Sequence, residues 1–411
     1  MLELDGTDAG GQFLRSALSL AGIQGCAVRI ENVRGDRSTP GLRPQHLAVV
    51  ETMAAICDAD VTGADGSAGY GADGTTLDIG SETVTFDPRR TVDVPAETVD
   101  VPAETADDPG REDDGDEWEA GDFGETESET PPDDIPGGTY AVDIGTAGSV
   151  TLLFDAVLPL ATRLASPLTL TATGGTDVTW SPTLDYYRRV KLPLLRRFGL
   201  QAALSVDRRG FYPAGGGEVT LHLAPSRLDP IRLGERGPLR GVRLYSTESA
   251  SLADRYVAER QLQAAMDRLE GAVDTGRDDD LVTERVVTTA QSDSPGSAIG
   301  CRLDFETGIA GTDGLGERGK PAERVGEEAA AAAIRLVSGA TPVDRHLADQ
   351  LLVPLALAGG RVRIPAVTDH VEASLSLLGA FGYDLVCEPT PETDDSDTDG
   401  ADTTDYLVTA T

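Results

Sequence analysis

Three stretches of this 411-residue chain repeat one order of elements. That recurrence restricts the fold more than any other feature of the sequence. The first stretch spans 10–60, with an apolar helix over 13–21 and then a strand with Val28 and Ile30 on one face. A polar loop, 32–46, leads to a helix with Leu47, Val50, Ala54 and Cys57 at helical spacing. The second opens at Gly145-Thr146-Ala147-Gly148-Ser149. It continues through a helix with Leu152 and Val157, a strand with Leu168 and Leu170, and the loop 173–177. Its last helix carries Leu184, Tyr187, Lys191 and Leu194 on one side. The third starts at Arg345: helix 347–357, strand with Val362 and Ile364, loop 365–369, helix with Val371, Leu375 and Leu378. Apolar residues recur at the helical and then the strand period in each. Helices alternating with strands in this way predict an α/β (α+β) fold whose sheets pack against helices. Units related by approximate symmetry would bring their three polar loops to one shared cleft.

A block over 235–338 breaks the series. It reads as strand 242–245, amphipathic helix 252–269, strands 281–289 and 298–306, and an alanine-rich helix 322–337, a small βαββα domain inserted before the third unit. The expected boundaries are therefore 1–90, 138–234 and 339–411 for the three units, with 235–338 between the last two. Residues 91–137 hold 18 acidic groups against one base, Arg111, and the heptad Thr-Val-Asp-Val-Pro-Ala-Glu twice in tandem. Few residues there can build a core, so a disordered insertion is expected, and the acidic loop 389–405 reads likewise.

Residues 91–137 and 388–405 together account for most of the net charge of −36 and leave −11 for the rest of the chain. A local basic pocket is compatible with that remainder. Lysine occurs only at Lys191 and Lys320. Acid-rich, lysine-poor surfaces suit concentrated salt, where carboxylates hold water and self-repulsion is screened, so the composition reads as halophilic. No apolar run approaches the roughly 18 residues that a membrane span needs. The strand-like Leu2-Glu3-Leu4 leaves no room for a signal peptide. Cys26, Cys57, Cys301 and Cys387 are isolated singletons, read as reduced core residues of a cytoplasmic protein.

The stretch from Asp5 to His46 carries the strongest chemical signal. Two glycine-bearing turns, each leading into a helix, set backbone N–H groups and positive dipole ends beside several arginines, an arrangement suited to phosphate.

Further motifs join it. Arg209-Gly210-Phe211-Tyr212-Pro213-Ala214-Gly215-Gly216-Gly217 resembles the signature of the RNA 3′-terminal phosphate cyclases. Gly10-Gly11-Gln12-x-x-Arg15, Pro40-Gly41-Leu42 with Gln45-His46-Leu47, and Gly174-Gly175-Thr176-Asp177 agree in order. So do His346-Leu347-Ala348-Asp349-Gln350-Leu351 and Thr368-Asp369-His370. The resemblance covers nearly the whole chain apart from the acidic segments. It implies three βαβαββ-type units with the small domain inserted before the third. It also implies a ligase that uses ATP, with Mg²⁺ or Mn²⁺, to convert an RNA 3′-phosphate to a 2′,3′-cyclic phosphate. The implied course runs through histidinyl-AMP and an RNA-adenylate.

The site residues follow from the same resemblance. His370, at a loop–helix junction, matches the nucleophile, and an imidazole partly neutral near pH 7 suits that work. Arg15, Arg34 and Arg37 with Gln12 and Gln45 match positions on the phosphates of ATP and the RNA end, where guanidinium forks bind two oxygens at once. Pro182 and His346 match residues beside adenosine, with Asp349 and Gln350 one turn on from His346. Asp8 matches the metal-binding acid, although the family usually has Glu followed by three glycines there. Ala373-Ser374 stands where Thr-Asn is frequent. His46 either bonds phosphate or caps its helix; His222, in an alternating strand, reads as structural, and Arg29 and Arg43 as surface residues. The expected partner is RNA with a 3′-phosphate end; the sequence names no oligomeric state. Two other readings keep the fold: a non-catalytic cyclase-like ribosome-assembly factor, and an enzyme adenylating other nucleic-acid ends. The first kind of protein lacks the nucleophilic histidine, so His370 favours the cyclase.

Overall fold

The structure is a computed structural model that describes residues 1–63, 77–88, 134–145, 147–273, 281–390 and 404–410. The expected disorder of 91–137, up to residue 133, and of 391–403 in the acidic loop lies outside the described residues.

The mixed α/β class expected from the alternating periods is what the chain adopts. The first sheet holds β1 (Leu2–Asp5), β2 (Val28–Glu31), β3 (Ala59–Thr62) and β4 (Val84–Pro88), in the order β1-β2-β4-β3. Helices α1 (Gly11–Gln24) and α2 (Pro44–Cys57) pack on each other and on this sheet. Helix α1 stops where Gly25 turns left-handed, and its N–H bonds back to the Ala21 carbonyl. The second sheet holds β5 (Gly138–Asp143), β6 (Leu168–Gly174), β7 (Ala202–Arg208) and β8 (Gly217–Leu223), in the order β5-β6-β8-β7. Its first helix, α3 (Val150–Val157), runs on into a 3₁₀ turn. Its second is α4 (Leu184–Tyr186), a π turn over Tyr187–Lys191, and α5 (Leu192–Arg196). The third sheet takes β9 (Ile231–Leu233) before the small unit and β14 (Gly360–Ile364), β15 (Leu385–Pro389) and β16 (Tyr406–Ala410) after it, in the order β15-β16-β14-β9. Its helices are α8 (Arg345–Gln350), α9 (Leu352–Ala358) and α10 (Asp369–Ala380). In each of these sheets the first two strands are parallel and the remaining neighbours antiparallel.

The small unit holds β10 (Leu239–Ser249), α6 (Val257–Glu270), β11 (Val282–Ala290), β12 (Ser297–Phe305), β13 (Ile309–Leu315) and α7 (Ala322–Ser338). Its sheet runs β11-β10-β12-β13. One buried cluster joins the three larger sheets and their helices; a second, with Val242, Met266, Ile299, Leu303 and Ala330, belongs to the small unit alone. Alanines and Gly326 let α7 approach α6: a Cβ on Gly326 would sit 2.0 Å from the Gln261 carbonyl oxygen.

Four details differ from the sequence reading. Strand β9, inside the expected second unit 138–234, pairs with β14 of the third sheet, so the small unit interrupts the third unit and does not precede it. Strand β13 adds a fourth strand to the small unit. Its sequence, Ile-Ala-Gly-Thr-Asp-Gly-Leu, shows no apolar alternation, and the glycines are there for close approach, since a Cβ on Gly311 would lie 2.6 Å from Val190 Cγ2. The helix expected over 252–269 is broken at Tyr256, which is left-handed at φ 51°. The helix expected over 347–357 is divided at Leu351, and Leu351 and Leu352 are both buried, so the apolar pattern ran straight through the division. Among the cysteines, all free, Cys57 and Cys301 are buried and Cys26 and Cys387 only partly so. No helix among the described residues is long and apolar enough to cross a membrane.

Candidate active site

No side chain caps the start of α1, where Gly10 is the capping residue. The first N–H groups of that helix therefore point outward with its positive dipole end. Two side chains converge there. A Cβ placed on Gly10 would be 3.4 Å from Arg37 Nη2 and 3.6 Å from His370 Cε1. Arg37 comes from the loop after β2, and His370 from the first turn of α10, whose capping Thr368 accepts the Val371 N–H. Both are exposed. Gln12, in the first turn of α1, donates to the Ser374 hydroxyl and ties the two helices together.

Behind this meeting point the helices of the three larger sheets enclose a cavity of about 80 Å³, lined among others by Arg15, Asp155, Lys191, Asp349 and Gln350. Arg15 is buried, and burial pulls its guanidinium below the usual value, with Asp155 and Asp349 opposing. Lys191 pairs with Asp155 at 2.6 Å. Asp349 Oδ1 and Gln350 Oε1 are buried acceptors with no partner among the described residues. Burial pushes the Asp349 carboxyl up, while His370, Lys191 and His346 hold it down. Unsatisfied buried acceptors cost free energy, so donors from a bound molecule would be welcome at this depth.

The other residues singled out from the sequence fall around this core. Arg34 donates through Nη1 to the carbonyls of Thr39 and Gly41, closing its own loop. Gln45 accepts the Ser149 N–H and so joins the start of α2 to that of α3. His46 accepts the Arg43 N–H at Nδ1 and presses its ring on Gly11, which is the capping role. Pro182 is half-buried, and its carbonyl accepts the Thr151 hydroxyl. His346 is exposed on the first turn of α8, with Asp349 one turn on. His222 bonds Ser205 across β7 and β8. The polar loops of the first and third sheets thus meet at Gly10. The loop 173–177 of the second does not join them, because Asp177 is turned to Arg209.

Asp8 is exposed, and its carboxyl is pushed up by hydrogen bonding and charge from Asp36, with Asp5 adding to it. Two carboxylates in such contact repel unless a proton or a cation lies with them. No cluster of three or more His, Cys, Asp or Glu suited to a metal occurs among the described residues. The pair fits a magnesium-like ion that takes one or two carboxylates and finds its other ligands on phosphates and water.

The glycine signature serves a different purpose. Arg209 is buried and bonds Asp177 at 3.0 Å and Asp185 at 2.7 Å. Asp185 also accepts the hydroxyl of Thr247 on β10. A Cβ on Gly210 would lie 2.3 Å from the Gly174 carbonyl oxygen, so the two glycine motifs are one packed unit. This unit fastens the second sheet to the small one. Lys191, Asp155, Asp313 and Asp344 were not singled out as functional. A lysine on an apolar helix face in a lysine-poor chain was the available signal for the first. Nothing in the sequence distinguishes the three acids from the other 67 carboxylates among 70.

Comparison with known proteins bears on this geometry. The sequence pattern of the family described as "RNA 3'-terminal phosphate cyclase" matches residues 7–107 and 115–383. A protein of Halobacterium salinarum named RNA 3′-terminal phosphate cyclase is 42% identical over 389 residues, covering 95% of this chain and 97% of its own. Proteins of the same name from Pseudomonas fluorescens and Pyrococcus furiosus are 34% and 32% identical, each over 93% of this chain and over 92% and 93% of their own.

Proposed function

The chain belongs to the RNA 3′-terminal phosphate cyclase family, and we propose that it converts an RNA 3′-phosphate to a 2′,3′-cyclic phosphate at the expense of ATP. One observation supports this most: His370 and Arg37 flank Gly10 at the uncapped start of α1. A phosphate held there meets a nucleophile, a guanidinium and helix N–H groups together.

In the first step a ring nitrogen of His370 bonds to the α-phosphorus of ATP while the bond to the pyrophosphate oxygen breaks. Arg37 and the α1 N–H groups take up the charge that builds on the phosphoryl oxygens. Arg15 would bind the phosphates of ATP, and Asp349 and Gln350, which line the same cavity, would orient the nucleoside, with His346 and Pro182 beside its base. Mg²⁺ or Mn²⁺ held by Asp8 and Asp36 together with phosphate oxygens would supply neutralisation of the triphosphate. In the second step an oxygen of the RNA 3′-phosphate attacks the same phosphorus, the P–N bond breaks, and His370 is restored. In the third the neighbouring 2′-hydroxyl loses its proton and attacks the 3′-phosphorus, closing the ring and expelling AMP.

Incubation with α-labelled ATP and Mg²⁺ or Mn²⁺ in concentrated salt tests this. The expected result is an acid-labile AMP adduct on the wild type, absent in His370→Ala and discharged by an RNA ending in a 3′-phosphate. RNA binding without any adduct would instead indicate an assembly factor, and discharge by 5′-phosphate ends a different end preference.

A further inference from the structure

The two walls that hold His346 and Pro182 come from different parts of the chain, and a strand of the small unit lies between them. Asp313 on β13 accepts the Thr183 N–H at 2.9 Å, fixing the residue after Pro182. Asp344, just before α8, is a hub with both oxygens in use. Its Oδ1 accepts the Tyr186 hydroxyl at 2.7 Å and the N–H groups of His346 at 2.9 Å and Leu347 at 3.0 Å. Its Oδ2 accepts the same hydroxyl at 2.8 Å and the Gly311 N–H of β13 at 3.2 Å. One buried carboxylate therefore gathers the α4 helix, the α8 helix and the edge of the small sheet. The approach is close enough that β13 needs glycine opposite Val190.

We propose that β13 is a spacer setting the width of the nucleotide site, with Asp313 and Asp344 as positioning residues for Pro182, Tyr186 and His346. The proposal rests on the ATP reading above. It gives the small unit a part in the reaction without any contact to the reacting atoms. Hydrogen bonds to a carboxylate are stronger than those to a neutral acceptor, so a fixed carboxylate suits a spacer. Neither residue is among those gathered at Gly10, where phosphoryl transfer would occur. Loosening the walls weakens nucleotide binding more than it slows the chemical step.

Single-turnover adenylylation of the full chain, measured against ATP concentration, tests this with Asp313→Ala and Asp344→Asn. Asp344→Asn leaves one acceptor oxygen where two serve four N–H and O–H groups, and turns an amide N–H toward donors. Each variant that keeps the wild-type unfolding profile in the same salt is expected to need at least about tenfold more ATP for half-maximal rate. The rate at saturating ATP should stay within about threefold. Asp313→Asn, which keeps an acceptor for Thr183, should recover most of the ATP affinity lost in Asp313→Ala. Unchanged ATP dependence in a folded variant overturns the proposal, as does a fall in saturating rate alone. Failure of the wild type to form any adduct would instead overturn the ATP reading itself, so the two failures are distinct.

Discussion

At the scale of single residues, His46 carries the clearest titration. Burial, and after it the charges of Arg15, Arg34 and Arg43, push its imidazole down to about 3. The unfolded chain takes up that proton near pH 6.5 and the folded chain only near 3, so stability falls as pH drops through 6.5 and levels off near 3. Each pH unit in that interval corresponds to about 1.4 kcal/mol. The whole penalty is on the order of a few kcal/mol. Glutamine at this third helical position can still accept the N–H of Arg43. His46→Gln is therefore expected to lose less stability than the wild type between pH 7 and pH 4, read from denaturant unfolding at fixed salt. An identical slope would mean that the ring is not held neutral. His370 differs from it in exposure, and that difference was invisible in the sequence. Both sit in the first turn of a helix after a polar loop; the arginines packed around His46 and the exposure of His370 beside Gly10 separate a cap from the proposed nucleophile.

At the scale of elements, the helices α1, α2 and α10 were legible because their buried faces recur at the helical period. Strand β13 and the π turn over Tyr187–Lys191 were not, because each is dictated by a neighbour from another unit. The glycine signature was legible as a marker but not as a structural joint. Its meaning depends on two carboxylates, Asp177 and Asp185, that come from separate segments. Burial pulls the Arg209 guanidinium down, yet Asp185 and Asp177 more than offset this and leave it raised. Asp185 is pushed up by burial and drawn below its usual value by Arg209. Arg209→Ala would strand two buried carboxylates, which costs about 3–5 kcal/mol. Equilibrium unfolding should show that loss; a change below about 1 kcal/mol would mean that the joint carries no charge interaction of consequence.

At the scale of the whole molecule, the charge distribution bears on how RNA is held. Counterion release makes long-range phosphate binding fall steeply with salt. For a chain of net charge −36, whose composition reads as halophilic, RNA binding is expected to rest on close contacts at the terminal nucleotides. Cyclisation in molar salt is thus expected to show an RNA affinity that stops improving beyond a few nucleotides. Affinity that climbs steadily with oligonucleotide length would contradict it. The sheet order β15-β16-β14-β9 has one more effect. Residues 406–410 form the strand that joins β15 to β14, and the helix bearing His370 leads into β15. During synthesis the opening glycines and arginines emerge first. The imidazole that reaches Gly10 is made much later, and the strand that completes its sheet later still. The two sides of the Gly10 cluster therefore come together only after most of the chain has been made, so the adenylylation proposed for it is expected of the finished chain and not of nascent ones.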